Sequence, residues 1–183
     1  MHFLETRPAA GEFIPYYGKY IGLVPAGNLA DVLASQRDAT RRLLAPLDDA
    51  RALHRYGPGK WSIKEVIGHI ADAERVFAYR ALRFARADAT PLPGFDENAF
   101  VPAGGFDQRP LRSLVEELAA VRSATLALVG GLDEAAWLRQ GTANGAGISV
   151  RALGWIMAGH ELHHVALLHE RYGVGAQTVA GGS

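Results

Sequence analysis

Apolar residues recur at helical spacing in four long stretches of the chain, and nowhere do they alternate with polar residues for long enough to predict a strand. The first stretch opens at Asn28, a residue suited to capping a helix start. It carries Leu29, Val32, Leu33, Leu43 and Leu44 on one face and runs to about Leu47, with Pro46 and Asp48 as its stop. The second begins at Ser62-Ile63-Lys64-Glu65. In this capping box the Ser62 hydroxyl and the Glu65 carboxylate each satisfy a backbone N–H that a helix start leaves without a partner. Its stripe is Ile63, Val66, Ile67, Ile70, Phe77, Ala81 and Phe84. The third starts at Pro110, carries Leu111, Leu114, Val115, Leu118, Val121, Leu126 and Val129, and stops at Gly130-Gly131. The fourth runs from Ser149, as cap, to Tyr172-Gly173. A short extra turn is expected from Asp133 to Trp137.

About 22 residues, Asp88 to Arg109, separate the second and third helices, against the ~2–8 that join antiparallel neighbours in a bundle. A segment of that size can travel the ~35 Å length of a helix, because an extended chain covers about 3.3 Å per residue. Helices two and three are then free to run parallel. The predicted fold is all-α, a four-helix bundle with a long crossover between helices 2 and 3. One domain is expected over residues 1–183, with the glycine-rich 173–183 as a flexible tail.

Composition narrows the partners. Nineteen basic residues balance nineteen acidic ones, so nothing in the charge invites a phosphate backbone or an anionic membrane. The basic residues are nearly all arginine, scattered along the helices beside Asp and Glu, a pattern that reads as solvated surface. No apolar run approaches the ~18 residues of a membrane span, and Met1 to Ala10 lacks the apolar core of a signal peptide. A cytoplasmic location, without nucleic acid or membrane as partner, is the expectation. The chain has no cysteine. That excludes disulfides, a thiolate nucleophile and sulfur-ligated metal, so any metal must sit on histidine and carboxylate.

The fourth helix contains Gly159-His160-Glu161-Leu162-His163-His164. At about 100° per residue, His160 and His164 lie roughly 40° apart, one turn from each other, and can grip one ion. They share their face with Leu153, Ile156, Met157 and Leu167, so the stripe buries two imidazoles together. A lone buried histidine is commonly satisfied by a carbonyl or a water. Two at this spacing need partners for several ring nitrogens at once, and a divalent cation answers both. Zincins use the same spacing, but the remainder of their motif is missing here. Glu161 points about 100° away from the pair and is expected at the surface or behind the ligands rather than as a base. His163 falls at the edge of the stripe, and His2, His54 and His169 carry no functional signal. Two ligands make a weak site. The one histidine left on a long helix is His69, on the flank of the second stripe, where periodicity permits but does not require that it face a neighbouring helix.

Three motifs together resemble the DinB-like superfamily of four-helix metalloproteins, with its YfiT-like branch of metal-dependent hydrolases. They are Lys60-Trp61-Ser62-Ile63-Lys64-Glu65 through His69 to Arg75, the Arg80–Phe100 stretch with Leu92-Pro93-Gly94-Phe95-Asp96-Glu97-Asn98, and Gly159-His160 to His164. The resemblance covers nearly the whole chain. It implies a three-histidine site made of His69, His160 and His164, a crossover bundle and a homodimer. Relatives include thiol-dependent S-transferases and a thiol-dependent maleylpyruvate isomerase, so the resemblance does not choose an activity.

Three neutral imidazoles would leave a zinc, nickel or iron ion positively charged with an open position, as in catalytic sites. Such an ion lowers the pKa of a water or a thiol, which suits hydrolysis or a transfer using a low-molecular-weight thiol cosubstrate on a small-molecule substrate. With no cysteine in the chain, that thiol must come from outside. Candidate bases are Asp96, Asn98, Glu65, Asp72, Tyr16 and Tyr17, each with a cap, turn or surface role as the competing expectation. Trp61 is expected to pack as a hydrophobic staple and Pro91-Leu92-Pro93-Gly94-Phe95 to act as a rigid crossover. The competing function is a non-catalytic metal-binding stress-response or interaction protein, dimerising through surfaces such as Trp155 and Leu162.

Overall fold

A computed structural model describes residues 2–175. Its α-helices are α1 (Gly18–Ile21), α2 (Leu29–Leu44), α3 (Asp49–Ala52), α4 (Ile63–Ala85), α5 (Glu97–Ala103), α6 (Leu111–Gly130), α7 (Glu134–Leu138) and α8 (Val150–Glu170). The four predicted long helices are α2, α4, α6 and α8, and their starts are capped as the residue types require. Asn28 accepts from Ala30 N, and Ser149 Oγ accepts from Ala152 N at 2.9 Å. The α4 box is reciprocal: Glu65 N donates to Ser62 Oγ at 3.0 Å and Ser62 N to Glu65 Oε2 at 2.8 Å. Helix α2 stops at Leu44, earlier than Leu47, since Pro46 disfavours a helical conformation in the residue before it and lacks an N–H. Pro110 caps α6 instead of occupying its first turn.

Every residue of the predicted α4 stripe is buried. Burial of such side chains stabilises the fold by roughly 1.5–3 kcal/mol each. Contacts between the helices give their directions. Lys64 reaches the carbonyl of Arg109, and Glu74 pairs with Arg122, so α4 and α6 ascend together, as the long crossover allows. Tyr172 reaches Trp61 while His69 meets His160, so α8 descends along α4.

One side chain ties all four long helices. Arg122 of α6 forms a bidentate pair with Glu74 of α4, both bonds 2.8 Å, and donates to the Leu33 carbonyl and Gln36 of α2. Its Nη2 also lies 2.6 Å from a carboxylate oxygen of Glu161 on α8, an ion pair without hydrogen-bond alignment. Arg122 is 1 % exposed and Glu161 2 %. These residues correct two expectations, that the arginines are solvated and that Glu161 lies at the surface or behind the histidine ligands.

Further expectations change. Strands exist: β1 (Gln140–Ala143) and β2 (Ala146–Ser149) form an antiparallel hairpin turning at Asn144-Gly145, both with positive φ, as a primed turn requires. Four-residue strands are too short to show alternation. The crossover contains a helix the periodicity did not show, α5, and is pinned to the hairpin by Leu92 N to the Thr142 carbonyl and Asn144 N to the Leu92 carbonyl. The expected tail begins too early: Val174 is buried and its N–H bonds the Leu168 carbonyl, while residues 176–183 lie outside the described residues. Trp155, proposed as a dimer surface, is fully buried, and Leu162 is half-buried. No helix among the described residues is long and apolar enough to cross a membrane.

Candidate metal centre

The fold brings His69, His160 and His164 together between α4 and α8. Three ring nitrogens, one from each, lie within 4.8 Å of one another, and all three residues are buried. The Nε2 atoms of His69 and His164 each stand 3.1 Å from Nε2 of His160. Glycine precedes two of these histidines for a steric reason. A Cβ on Gly159 would stand 2.0 Å from the Tyr20 carbonyl oxygen, and one on Gly68 would meet the Phe106 ring at 2.4 Å. The missing side chains let α1 settle against α8 and the crossover against α4 beside the histidine rings.

Hydrogen bonding alone does not account for this cluster. A ring nitrogen carries either one proton or one lone pair, so His160 Nε2 can make one good bond while facing two neighbours. His164 Nδ1 is buried with no partner among the described residues. Burial holds the His69 pKa down to about 4 and that of His160 to about 3, and it places His164 well below the ordinary histidine value, with the neighbouring rings adding to the shift for His160 and His164. The rings are therefore neutral near pH 7 and present lone pairs. A tetrahedral zinc ion, with Zn–N of about 2.0–2.1 Å, spaces its ligands by roughly 3.4 Å. The donor set and its spacing fit one divalent ion of this kind.

Above the histidines opens a cavity of about 510 Å³. Its walls are aromatic, with Tyr16, Tyr17, Tyr20, Trp61, Phe77 and Phe95, and its polar groups besides the histidines include Arg80, Glu97 and Asn144. Trp61 stacks obliquely 4.8 Å from His69, ring centre to ring centre, so it lines the site as well as packing beside the capping box. The Tyr20 and Phe77 rings meet His160 edge-on at 5.5 and 6.0 Å.

Of the candidate bases, Tyr16 and Tyr17 line the cavity and four do not. Asp96 caps α5 by accepting from Asn98 N, Asn98 itself is exposed, Glu65 closes the α4 box and pairs with Arg55, and Asp72 pairs with Arg75. The carboxylate that faces the cavity is Glu97, which those candidates bracketed without including. Its charge is felt by His69, Tyr16, Tyr17 and Tyr20. Burial raises the Tyr17 and Tyr20 pKa values, whereas Tyr16, bonded to Tyr20 and beside Lys19, is lowered. Arg80 was legible in principle: it stands eleven residues beyond His69, three turns plus about 20°. His163 is half-buried against Tyr20 and offers no ligand to the cluster.

Residues 33–168 match the sequence model of the DinB superfamily. The chain belongs to the DinB superfamily. No curated protein sequence matches it. Among solved structures it resembles YfiT from Bacillus subtilis, described as a probable metal-dependent hydrolase with an unusual four-helix bundle topology. The TM-score is 0.69 at 17 % identity, over 95 % of this chain and 99 % of that one. It also resembles a mycothiol-dependent maleylpyruvate isomerase, with a TM-score of 0.65 at 17 % identity, over 85 % of this chain and 64 % of the isomerase. At these identities the likeness is one of fold, the four-helix bundle of the DinB superfamily.

Proposed function

We propose that this DinB superfamily member is a metal-dependent hydrolase of a small molecule, with His69, His160 and His164 holding one divalent ion, zinc, nickel or iron. The observation that carries the reading is the convergence of three neutral, buried imidazoles from two helices at the floor of a cavity large enough for a small substrate. When bound, the ion supplies Lewis acidity and lowers the pKa of an attacking water or thiol. The chain's own residues do the rest. The aromatic walls exclude bulk water and orient an apolar body. Glu97 accepts the proton that the nucleophile releases, and Tyr16 and Tyr17, at the same cavity, are placed to donate hydrogen bonds to charge developing on the substrate.

The second reading is thiol-dependent transfer, supported by the fold shared with the mycothiol-dependent isomerase; since the chain has no cysteine, the thiol in that reading comes from a cosubstrate. A cytoplasmic homodimer belongs to both readings and is checked by light scattering. The deciding experiment is metal analysis of protein purified without added ions, beside His160→Ala, with turnover measured on esters, amides and electrophile-plus-thiol mixtures. The expected result is about one ion per wild-type chain, little in the variant, and turnover that follows the metal. Equal, negligible metal in both proteins overturns the proposal.

A further inference from the structure

The cavity contains a cation without a counter-ion. Arg80 of α4 is 4 % exposed, yet its guanidinium makes a single hydrogen bond, from Nη2 to the Pro93 carbonyl at 2.8 Å. No carboxylate pairs with it among the described residues. Arg122, buried more deeply on α6, has two carboxylates and two further acceptors. Burying a guanidinium without an anion is costly, and burial accordingly pulls the Arg80 pKa down, with the Tyr17 hydroxyl opposing. A guanidinium has five N–H donors in a planar fork, so most of this one's donors are left for a ligand.

Its surroundings say what that ligand looks like. The guanidinium lies 6.0 Å from the centre of the Phe77 ring and 5.9 Å from that of Phe95, and the Phe77 ring is in turn 6.0 Å from the His160 ring. Arg80 and the histidine cluster therefore flank one aromatic ring on the wall of one cavity, two short steps apart. Arg80 also borders an adjoining hollow of about 300 Å³ at Leu92–Phe95, but Phe77 belongs to the histidine cavity alone. Among the residues lining the cavity Arg80 is the one cation and Glu97 the one carboxylate, while Lys19, over the Tyr16 and Tyr20 rings, is not part of the lining. One fork balances a monoanion. In the metal-free protein a phosphate dianion would keep excess charge beside Glu97.

We infer that the substrate is a small carboxylate, its carboxylate gripped bidentately by Arg80, its apolar or planar body lying against Phe77 and Phe95, and its reacting group presented to the three histidines. This rests on reading that cavity as the substrate chamber of the metal site. It assigns Arg80 as the residue that selects for charge and sets how far from the histidines the reacting bond can lie.

The test uses binding. Benzoate and its neutral counterpart benzamide are titrated into the purified protein, with and without prior chelation, by calorimetry and by the ring-proton resonances of His69 and His160. Benzoate is expected to bind at least about tenfold more tightly than benzamide. Arg80→Gln should remove that preference, Arg80→Lys should restore part of it, and after chelation phenyl phosphate should bind more weakly than benzoate. The wild-type comparison stands even if a variant fails to fold. Equal affinity for the two ligands, no saturation by benzoate, binding that leaves the histidine resonances unmoved, or tighter binding of phenyl phosphate by the chelated protein each overturns the inference. So does a benzoate affinity lost in His160→Ala but intact in Arg80→Gln, which puts the anion on the histidines instead. Metal content is measured separately, so a protein that binds no metal yet keeps the Arg80-dependent preference fails the metal reading alone.

Discussion

His160 and Glu161 are consecutive residues of α8, both buried, and each joins a different polar cluster. Glu161 belongs to the Arg122 network, in which two carboxylates, one guanidinium, Gln36 and Thr40 supply partners to one another, so that the charges are matched although a hollow of about 390 Å³ borders Gln36, Thr40 and Glu161. His160 belongs to the histidine cluster, where its one Nε2 faces two other ring nitrogens, His164 Nδ1 has no partner among the described residues, and a large cavity opens alongside. Both clusters occupy the gap along α8 between the apolar layer ending at Ala158 and the one resuming at Leu168. The difference teaches how to tell a structural polar group from a functional one. A satisfied network is complete without a ligand, whereas an unsatisfied one beside open space is shaped for something from outside.

Removing one member should therefore hurt the two clusters differently. Arg122→Met leaves Glu74 and Glu161 buried without a cation and is expected to cost about 3–5 kcal/mol in urea unfolding, the largest effect here. A cost below about 1 kcal/mol would show that water reaches those carboxylates. Addition of zinc at a hundred times its dissociation constant should stabilise the wild type by about 2.7 kcal/mol, several degrees in a thermal melt, and leave His164→Ala unmoved.

Acid should act on the histidines next. In metal-free protein the folded pKa values of about 4 for His69 and about 3 for His160 lie below the unfolded value near 6.5. The unfolded chain therefore binds protons first as pH falls. Stability is fully present above pH 6.5, declines between about 6.5 and 3, and in this window the decline should shrink in a His69→Leu, His160→Leu double variant. An unchanged pH profile in the double variant would refute the neutral-ring assignment. At the small end, His163→Gln should alter stability by under about 1 kcal/mol and leave metal content at the wild-type level, because this half-buried ring only packs against Tyr20. Loss of metal in that variant would redraw the ligand set.

Much of the architecture was readable one helix at a time. Ser62 with Glu65, Asn28 and Ser149 act as caps through bonds that span two or three residues, and those bonds form wherever the helix does. The hairpin was missed although Asn144-Gly145 is a strong turn signal, because four-residue strands leave almost no periodicity to read. The cavity residues were harder. Tyr20, Arg80, Glu97 and Asn144 come from four separate segments, and nothing local to any of them names the others.

By itself, the sequence determined four amphipathic helices, where they start, and a pair of histidines one turn apart, since all of these follow from backbone geometry within a turn or two. Only the tertiary structure decided that His69 completes the cluster, that Arg122 is buried and paired while Arg80 is buried and unpaired, and that Glu97 rather than its neighbours faces the cavity. Those outcomes depend on which helices lie side by side and in which direction. That is set by the summed packing of the apolar faces and by the path of the crossover, so no short window of residues contains it.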